Sequence, residues 1–151
     1  MTTAKPLLGW REWVALPELN IPLIKAKIDT GARSSTIHAF IIEPYQQDGQ
    51  TWVMFAVHPM QRNTSSVVEC HALVKDQRMV SDSGGHRQLR YVIETPIVLG
   101  QQVFQAEMTL TNRDNMLFRM LLGRTAMNYR FHVDPVASYL QGKPNPSCYC
   151  D

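Results

Sequence analysis

The sequence has little of what would assign it to a specialised class of protein. It contains three cysteines in 151 residues, and this small odd number argues against a disulfide framework and predicts a reducing, cytoplasmic location. No apolar run reaches the roughly 18 residues that a membrane-spanning helix needs. Residues 1–10 lack the pattern of a signal peptide. The net charge of +2 is too small to indicate a nucleic-acid or membrane partner.

The residues that are present suit one globular domain over positions 1–151. The hydrophobic content of 44% is ordinary, and the length allows a sizeable core. Short segments rich in β-forming residues alternate with turns, which predicts an all-β barrel or sandwich with its core over about 10–131 and an irregular tail over 132–151. The predicted strands are 10–15, 23–28, 35–42, 51–57, 67–74, 78–80, 89–94, 96–99, 103–111 and 120–122, with one or two helical turns over 124–129.

The run Ile28-Asp29-Thr30-Gly31-Ala32 is the strongest local signal. The alternation over 23–28 predicts a strand that carries Asp29 at its end, on the same face as Lys25 and Lys27. Glycine permits a tight corner, and hydroxyl groups stiffen it through backbone hydrogen bonds, so the loop would hold a carboxylate in one orientation. A simple strand-ending turn is the alternative interpretation, because Asp and Gly are common turn residues.

A second segment, Leu121-Leu122-Gly123-Arg124, resembles the second signature of the retropepsin-like aspartic proteases. In that family an apolar pair and a glycine pack behind the Asp-Thr-Gly loop, and an arginine and a short helix often follow. The resemblance implies a retropepsin-like closed barrel with a short C-terminal helix. It also implies that Leu122, Gly123 and Arg124 support the loop of Asp29.

The chain is also similar to a bacterial family whose members are often labelled "ATP-dependent zinc protease". The matching segments are Gly9-Trp10-Arg11-Glu12, residues 25–33, Thr109-Leu110-Thr111-Asn112-Arg113 and residues 120–124. The label has little support in the residues, since the chain has no phosphate-binding Gly-x-x-x-x-Gly-Lys-Ser/Thr loop and no His-Glu-x-x-His helix.

The resemblance implies an aspartic endopeptidase that works as a homodimer on a peptide or protein substrate. One chain has one Asp-Thr-Gly run, so the second carboxylate of the catalytic pair would come from Asp29 of another copy. Asp29, Thr30 and Gly31 would form the catalytic loop. A catalytically inactive peptide-binding or partner-binding module of the same fold is the alternative from a different class.

Substrate contacts are expected from the loop and from a hairpin. Ala32 and Arg33 follow the catalytic loop, and Arg33 stands where retropepsins commonly carry an acidic residue. Gly84, Gly85 and His86 lie where the family carries its flap hairpin. Together with Arg87 and Arg90, these residues could contact an acidic, glutamate-rich peptide. Such a substrate is suggested by the peptide ligases that are encoded near some family members. The alternative is an ordinary hairpin exposed to solvent.

No cofactor is predicted, and no metal ligand is assigned. The five histidines do not pair at helical spacing, and the adjacent Cys70 and His71 would point to opposite faces of a strand. Cys148 and Cys150 could chelate a metal ion, but they have no second pair of ligands nearby in the sequence. A zinc-dependent peptidase stays open as the enzymatic alternative.

Overall fold

The computed structural model describes residues 4–61, 64–81, 84–112 and 117–144, and the regular structure of these residues is mostly β-strand. One short helix, α1, spans Arg124–Met127, and a 3-10 turn spans Pro17–Leu19. The strands are β1 (Leu7–Leu8), β2 (Arg11–Leu16), β3 (Ile21–Ile28), β4 (Ser35–His38), β5 (Ile41–Gln47), β6 (Gln50–Val57), β7 (Val68–Leu73), β8 (Asp76–Ser81), β9 (Arg87–Leu99), β10 (Gln102–Thr111), β11 (Met120–Leu122) and β12 (His132–Val133).

The main sheet has seven strands in the order β10-β4-β11-β3-β2-β9-β8, and β9 also pairs with β10. Its centre is the parallel pair of β11 with β3, which places Leu122 opposite Ile28. Strand β4 pairs antiparallel with β11 on the other side, with Thr36 opposite Leu121. Residues far apart in the sequence are thus brought together at the end of β3.

Alternation along the strands accounts for the core. On β3, Ile24, Ala26 and Ile28 are buried, whereas Lys25 is half-buried and Lys27 is exposed. A three-stranded sheet, β5-β6-β7, adds its own buried face to the same cluster. The remaining pair is β1 with β12, so the first residues of the predicted tail form a short strand.

The all-β prediction is confirmed, while the closed barrel stays a prediction. The expected strand over 35–42 is two strands, because the chain leaves β4 after His38 and enters the other sheet at Ile41. Pro44 does not end β5, since β5 is an edge strand and a missing N–H costs no ladder bond at an open edge.

Strand β9 is also continuous where two strands were predicted, and it contains Pro96. β10 pairs along this stretch, with Gln105 opposite Pro96. On the other side of β9, β8 pairs only as far as Val92 and β2 only at Val98. Pro96 therefore occupies a stretch where a ladder partner is present on one side alone, and a proline is tolerated there.

Among the described residues, no helix is long and apolar enough to cross a membrane.

Candidate active site

Strand β3 ends at Ile28 and delivers Asp29 into a tight turn. The Gly31 N–H donates to Asp29 Oδ1 at 3.0 Å, and the Ala32 N–H donates to the Asp29 carbonyl at 3.3 Å. The Asp29 N–H in turn donates to the Leu122 carbonyl at 2.9 Å. The carboxylate is therefore oriented from within its own loop, and the loop backbone is tied to β11.

The segment after β11 holds the other end of this loop. The backbone N–H of Arg124 donates to the Ala32 carbonyl at 2.8 Å, and that of Thr125 donates to the Arg33 carbonyl at 3.1 Å. The guanidinium of Arg124 reaches the carbonyls of Thr30 at 3.4 Å and Gly31 at 3.2 Å. The Thr125 hydroxyl donates to the Arg33 carbonyl at 2.9 Å, so it braces the loop and does not cap α1.

Gly123 is the point of closest approach between the two segments. A Cβ there would lie 2.5 Å from the Ser34 carbonyl carbon and 3.0 Å from the Ala32 oxygen. Its N–H donates to the buried Ser35 hydroxyl at 3.0 Å. Only glycine lets the backbones approach so closely. Leu122, Gly123 and Arg124 thus all contact the Asp29 loop or its continuation.

A cavity of about 740 Å³ opens beside this loop. Asp29 and its neighbours form one wall, and β8 forms another. The lining residues are Asp29, Gly31, Ala32, Arg33, Ser34, Thr36, Arg78, Met79, Val80, Ser81, Arg90, Glu107, Thr111 and Leu121. This volume would accommodate a few residues of an extended peptide.

The cavity carries more positive than negative groups near Asp29. Arg78 is held bidentately by Glu107, at 2.8 and 3.0 Å, and also by Asp76. The hydrogen bonds from Arg78 lower the pKa of Glu107 to about 2, and the same pair raises the pKa of Arg78. Glu107 is therefore a fixed anion that positions Arg78.

Arg90 is buried at the base of the cavity. Its Nε donates to Gln88 at 3.0 Å, and its Nη1 lies 3.3 Å from the Thr36 hydroxyl and 3.4 Å from that of Thr109. Arg33 is exposed at the rim, and no carboxylate of the described residues lies within 4.0 Å of its guanidinium. The rim thus offers a cation for an anionic ligand.

The predicted flap is the hairpin of β8 and β9, with Ser81 paired to Arg87. Strand β8 lines the cavity, so this hairpin does border the loop of Asp29. Gly84, Gly85 and His86 are exposed at its tip and are not among the lining residues. Gly85 has a φ of +83°, which its position in the turn requires.

The described residues contain no group of three or more His, Cys, Asp or Glu side chains able to hold a metal ion. Cys70 is buried and donates to the Leu19 carbonyl, and burial raises the pKa of its thiol to about 12. His71 instead contacts Tyr45 and Glu69 on the exposed face of its sheet. Cys148 and Cys150 lie outside the described residues.

Sequence reasoning missed Thr36, Arg78 and Glu107 in this cavity. All three lie on strands, and the neighbouring sequence does not distinguish them from polar residues that simply face solvent. To predict that Arg78 and Glu107 meet, one must know that β8 and β10 both pair with β9. This pairing places the two side chains within hydrogen-bond distance.

Comparison with known proteins places this geometry in context. The family described as RimB-like, "Retropepsin-like aspartic endopeptidase RimB", matches residues 7–144. A crystal structure of a protein with unknown function from Legionella pneumophila superposes with a TM-score of 0.74 at 26% identity, covering 91% of this chain and 99% of that one.

The curated relatives are longer proteins named "Probable alpha-L-glutamate ligase". The chain is 46% identical to the one from Desulfotalea psychrophila over 140 residues, which cover 93% of this chain and 30% of that protein. It is 44% identical to the one from Shewanella halifaxensis over 145 residues, covering 96% and 32%. The chain therefore spans about a third of the length of these relatives.

Proposed function

The chain belongs to the RimB-like family of retropepsin-like aspartic endopeptidases, and on that premise we propose that it hydrolyses peptide bonds as a symmetric homodimer in which two Asp29 carboxylates form the catalytic pair. The observation that carries the proposal is the fixed Asp29 carboxylate on the wall of a peptide-sized cavity. The same proposal includes a closed retropepsin-like barrel, which the additional pairing of β9 with β10 supports.

The chemistry follows from bringing two like charges together. Two carboxylates at hydrogen-bond distance cannot both ionise cheaply, so the pair holds one proton between them. The ionised carboxylate takes a proton from water, whose oxygen attacks the scissile carbonyl carbon, while the protonated carboxylate donates to the carbonyl oxygen. The tetrahedral intermediate then collapses with transfer of a proton to the leaving amine, and no covalent enzyme intermediate forms.

The loop contacts explain how the chain would orient this pair. Gly31 holds one carboxylate oxygen, and Arg124 holds the Thr30 and Gly31 carbonyls from behind. Such restraint matters because a catalytic carboxylate that wanders loses its alignment with water and substrate.

We propose an acidic, glutamate-containing peptide as the substrate. The exposed guanidinium of Arg33 at the rim of the cavity suits a carboxylate side chain. The names of the longer relatives, which refer to glutamate ligation, agree with this choice. The β8-β9 hairpin, including Gly84, Gly85 and His86, would cover the bound peptide.

The test compares cleavage of matched peptides by the wild type, Asp29→Asn and Asp48→Asn, each with and without a chelator. Asp48 is an exposed turn residue with a φ of +55°, a conformation that Asn also tolerates, so it controls for the chemical change alone. We expect glutamate peptides to be cut faster than their glutamine analogues, and only Asp29→Asn to abolish cleavage. Cleavage that survives Asp29→Asn but not the chelator would favour a zinc peptidase instead, and binding without cleavage in every arm would favour a binding module.

Subunit mixing tests the dimer directly. Adding an equal amount of Asp29→Asn chains to wild-type chains should halve the activity per wild-type chain, because mixed dimers have one functional carboxylate. Adding Asp48→Asn chains should not lower it. An Asp29→Asn chain that leaves wild-type activity untouched after subunit exchange would contradict the shared pair.

A further inference from the structure

Strands β2 and β3 carry a basic surface outside the cavity. Their register sets Arg11 opposite Lys27 and Trp13 opposite Lys25. Side chains of paired residues lie on the same face of a sheet, so these four share one face. Together with Tyr139 and Lys143 from the C-terminal segment they form what we call the basic aromatic surface, made of Arg11, Trp13, Lys25, Lys27, Tyr139 and Lys143.

Aromatic rings fix three of its four cations. The Arg11 guanidinium lies 4.6 Å from the Trp10 ring and 5.0 Å from the Tyr139 ring. Lys25 Nζ and Lys143 Nζ each lie 5.1 Å from the Trp13 ring. Trp13 and Tyr139 themselves stack at 5.5 Å. The rings therefore hold the cations in a defined arrangement in place of carboxylates.

Within the part of the chain that the structure describes, no carboxylate lies within 4.0 Å of the side-chain nitrogens of Arg11, Lys25, Lys27 or Lys143. The nearby acidic residue, Glu12, points into the interior and accepts the backbone N–H groups of Gly9, Leu140 and Gln141. That buried carboxylate anchors the C-terminal segment which supplies Tyr139 and Lys143.

The basic aromatic surface is continuous with the cavity. Lys27 of β3 is paired with Arg11 on one side and with Leu121 of β11 on the other, and Leu121 is paired with Thr36 of β4. Leu121 and Thr36 line the cavity. Neighbouring strands are about 4.8 Å apart, so one row of residues leads from Lys27 to the cavity within roughly 10 Å.

From this arrangement we propose that the basic aromatic surface binds the extension of an acidic polypeptide whose cleavable part occupies the cavity. The choice of an acidic peptide over a nucleic acid rests on the rings. Base recognition by stacking needs an open aromatic face, and here the ring faces of Trp13 and Tyr139 are occupied by each other and by lysine or arginine side chains. What remains exposed to a ligand is fixed positive charge, which a run of carboxylates complements.

This inference rests on the proposed function only for the identity of the substrate, so its test uses a protein that cannot turn over. In an Asp29→Asn background, binding of a labelled peptide of about eight glutamates is measured by fluorescence anisotropy; at roughly 3.3 Å per residue it would span both the surface and the cavity. Lys25→Gln, Lys27→Gln and Lys143→Gln are compared with Lys5→Gln. Lys5 lies near a different ring, that of Tyr129, and carries the same charge.

We expect each of the three variants to weaken binding about threefold, and Lys5→Gln to change it less than twofold. In the Asp29 wild type, the same three substitutions should raise KM for the long acidic peptide, leave kcat unchanged, and leave a short peptide that fills only the cavity unaffected.

Equal losses for all four lysines would overturn the proposal, since bulk charge would then explain the binding. Tighter binding of a single-stranded oligonucleotide of similar length through the same three lysines would also overturn it. Because binding is measured without turnover, the binding result can be interpreted even if the protein proves not to be a peptidase. If cleavage depends on Asp29 but the lysine substitutions leave peptide binding unchanged, only this inference fails and the proposed function stands.

Discussion

Gly123→Ala is the substitution that most directly tests how the two segments of the candidate site pack. The added Cβ would lie 2.5 Å from the Ser34 carbonyl carbon and 2.6 Å from its oxygen. Carbon atoms prefer about 3.5–4.0 Å, so the backbones must separate by about 1 Å. Neither neighbour is the flexible end of a side chain, and the Gly123 N–H is also bonded to Ser35. The strain therefore has to be taken up by the loop that holds Asp29.

The magnitude follows from two opposing effects. Overpacking of this kind costs about 1–3 kcal/mol, and replacing glycine by alanine recovers about 0.4–1 kcal/mol by restricting the unfolded chain. A net loss of about 1–2 kcal/mol in the free energy of unfolding is expected, which for a chain of this length lowers Tm by about 3–6 °C. Displacement of the carboxylate by about 1 Å should also reduce kcat about 100-fold.

The assay is urea unfolding of Gly123→Ala, with Gly31→Ala as the matched control for stability at the same protein concentration, together with peptide cleavage by Gly123→Ala and wild type. A Cβ at Gly31 meets only Asp29 Oδ1, at 3.4 Å, which is an ordinary contact. Gly31→Ala should therefore stay within about 1 kcal/mol of wild type. If Gly123→Ala proved as stable as Gly31→Ala, the close approach of β11 to the Asp29 loop would be refuted.

Two further predictions concern buried and paired carboxylates. Glu12→Gln should lower the free energy of unfolding by about 2–3 kcal/mol, because an amide NH2 group then replaces a carboxylate oxygen that accepts backbone N–H bonds. The control, Glu18→Gln at an exposed position, should change the free energy of unfolding by less than about 0.5 kcal/mol. Equal effects of the two substitutions in chemical unfolding would contradict the hydrogen bonds of the buried Glu12 carboxylate. For Glu107 the folded pKa of about 2 is below the ordinary value of 4.5, so its stabilisation is present above that value and is lost as the pH falls toward 2. The stability difference between wild type and Glu107→Gln should therefore be constant near neutral pH and shrink between pH 4.5 and 2 in pH-dependent unfolding; a difference that persists at pH 2 would contradict the pairing with Arg78.

Much of the local structure could be predicted because it depends on neighbouring residues. The alternation before Asp29 predicts β3, and Gly100 and its neighbours predict the turn between β9 and β10. The predicted strand end at residue 42 and the predicted break between residues 94 and 96 are both wrong, and each error lies beside a proline, Pro44 or Pro96. Whether a proline breaks a strand depends on the presence of a ladder partner on its N–H side, and that partner is chosen by the distant chain.

In the candidate site, too, some residues can be recognised from the sequence, whereas others are found only from the tertiary structure. Asp29, Gly31 and Gly123 are recognisable from the residues and from their resemblance to a known pattern, and contacts among their segments connect them. Gly84, Gly85 and His86 stay predicted substrate contacts, and the residues of this hairpin that line the cavity are Arg78, Met79, Val80 and Ser81 on β8 and Arg90 on β9.

The sequence alone therefore determined the class of fold and the chemical groups available, since hydrophobic period and turn chemistry are local properties of the chain. Only the tertiary structure decided which groups meet. The parallel pairing of β11 with β3 brings Gly123 against the Asp29 loop. The pairing of β2 with β3 sets Arg11 beside Lys27, in a row of residues that continues through Leu121 to the cavity. Register between strands is a long-range property, because it is set by the packing of whole faces and is encoded in no single segment.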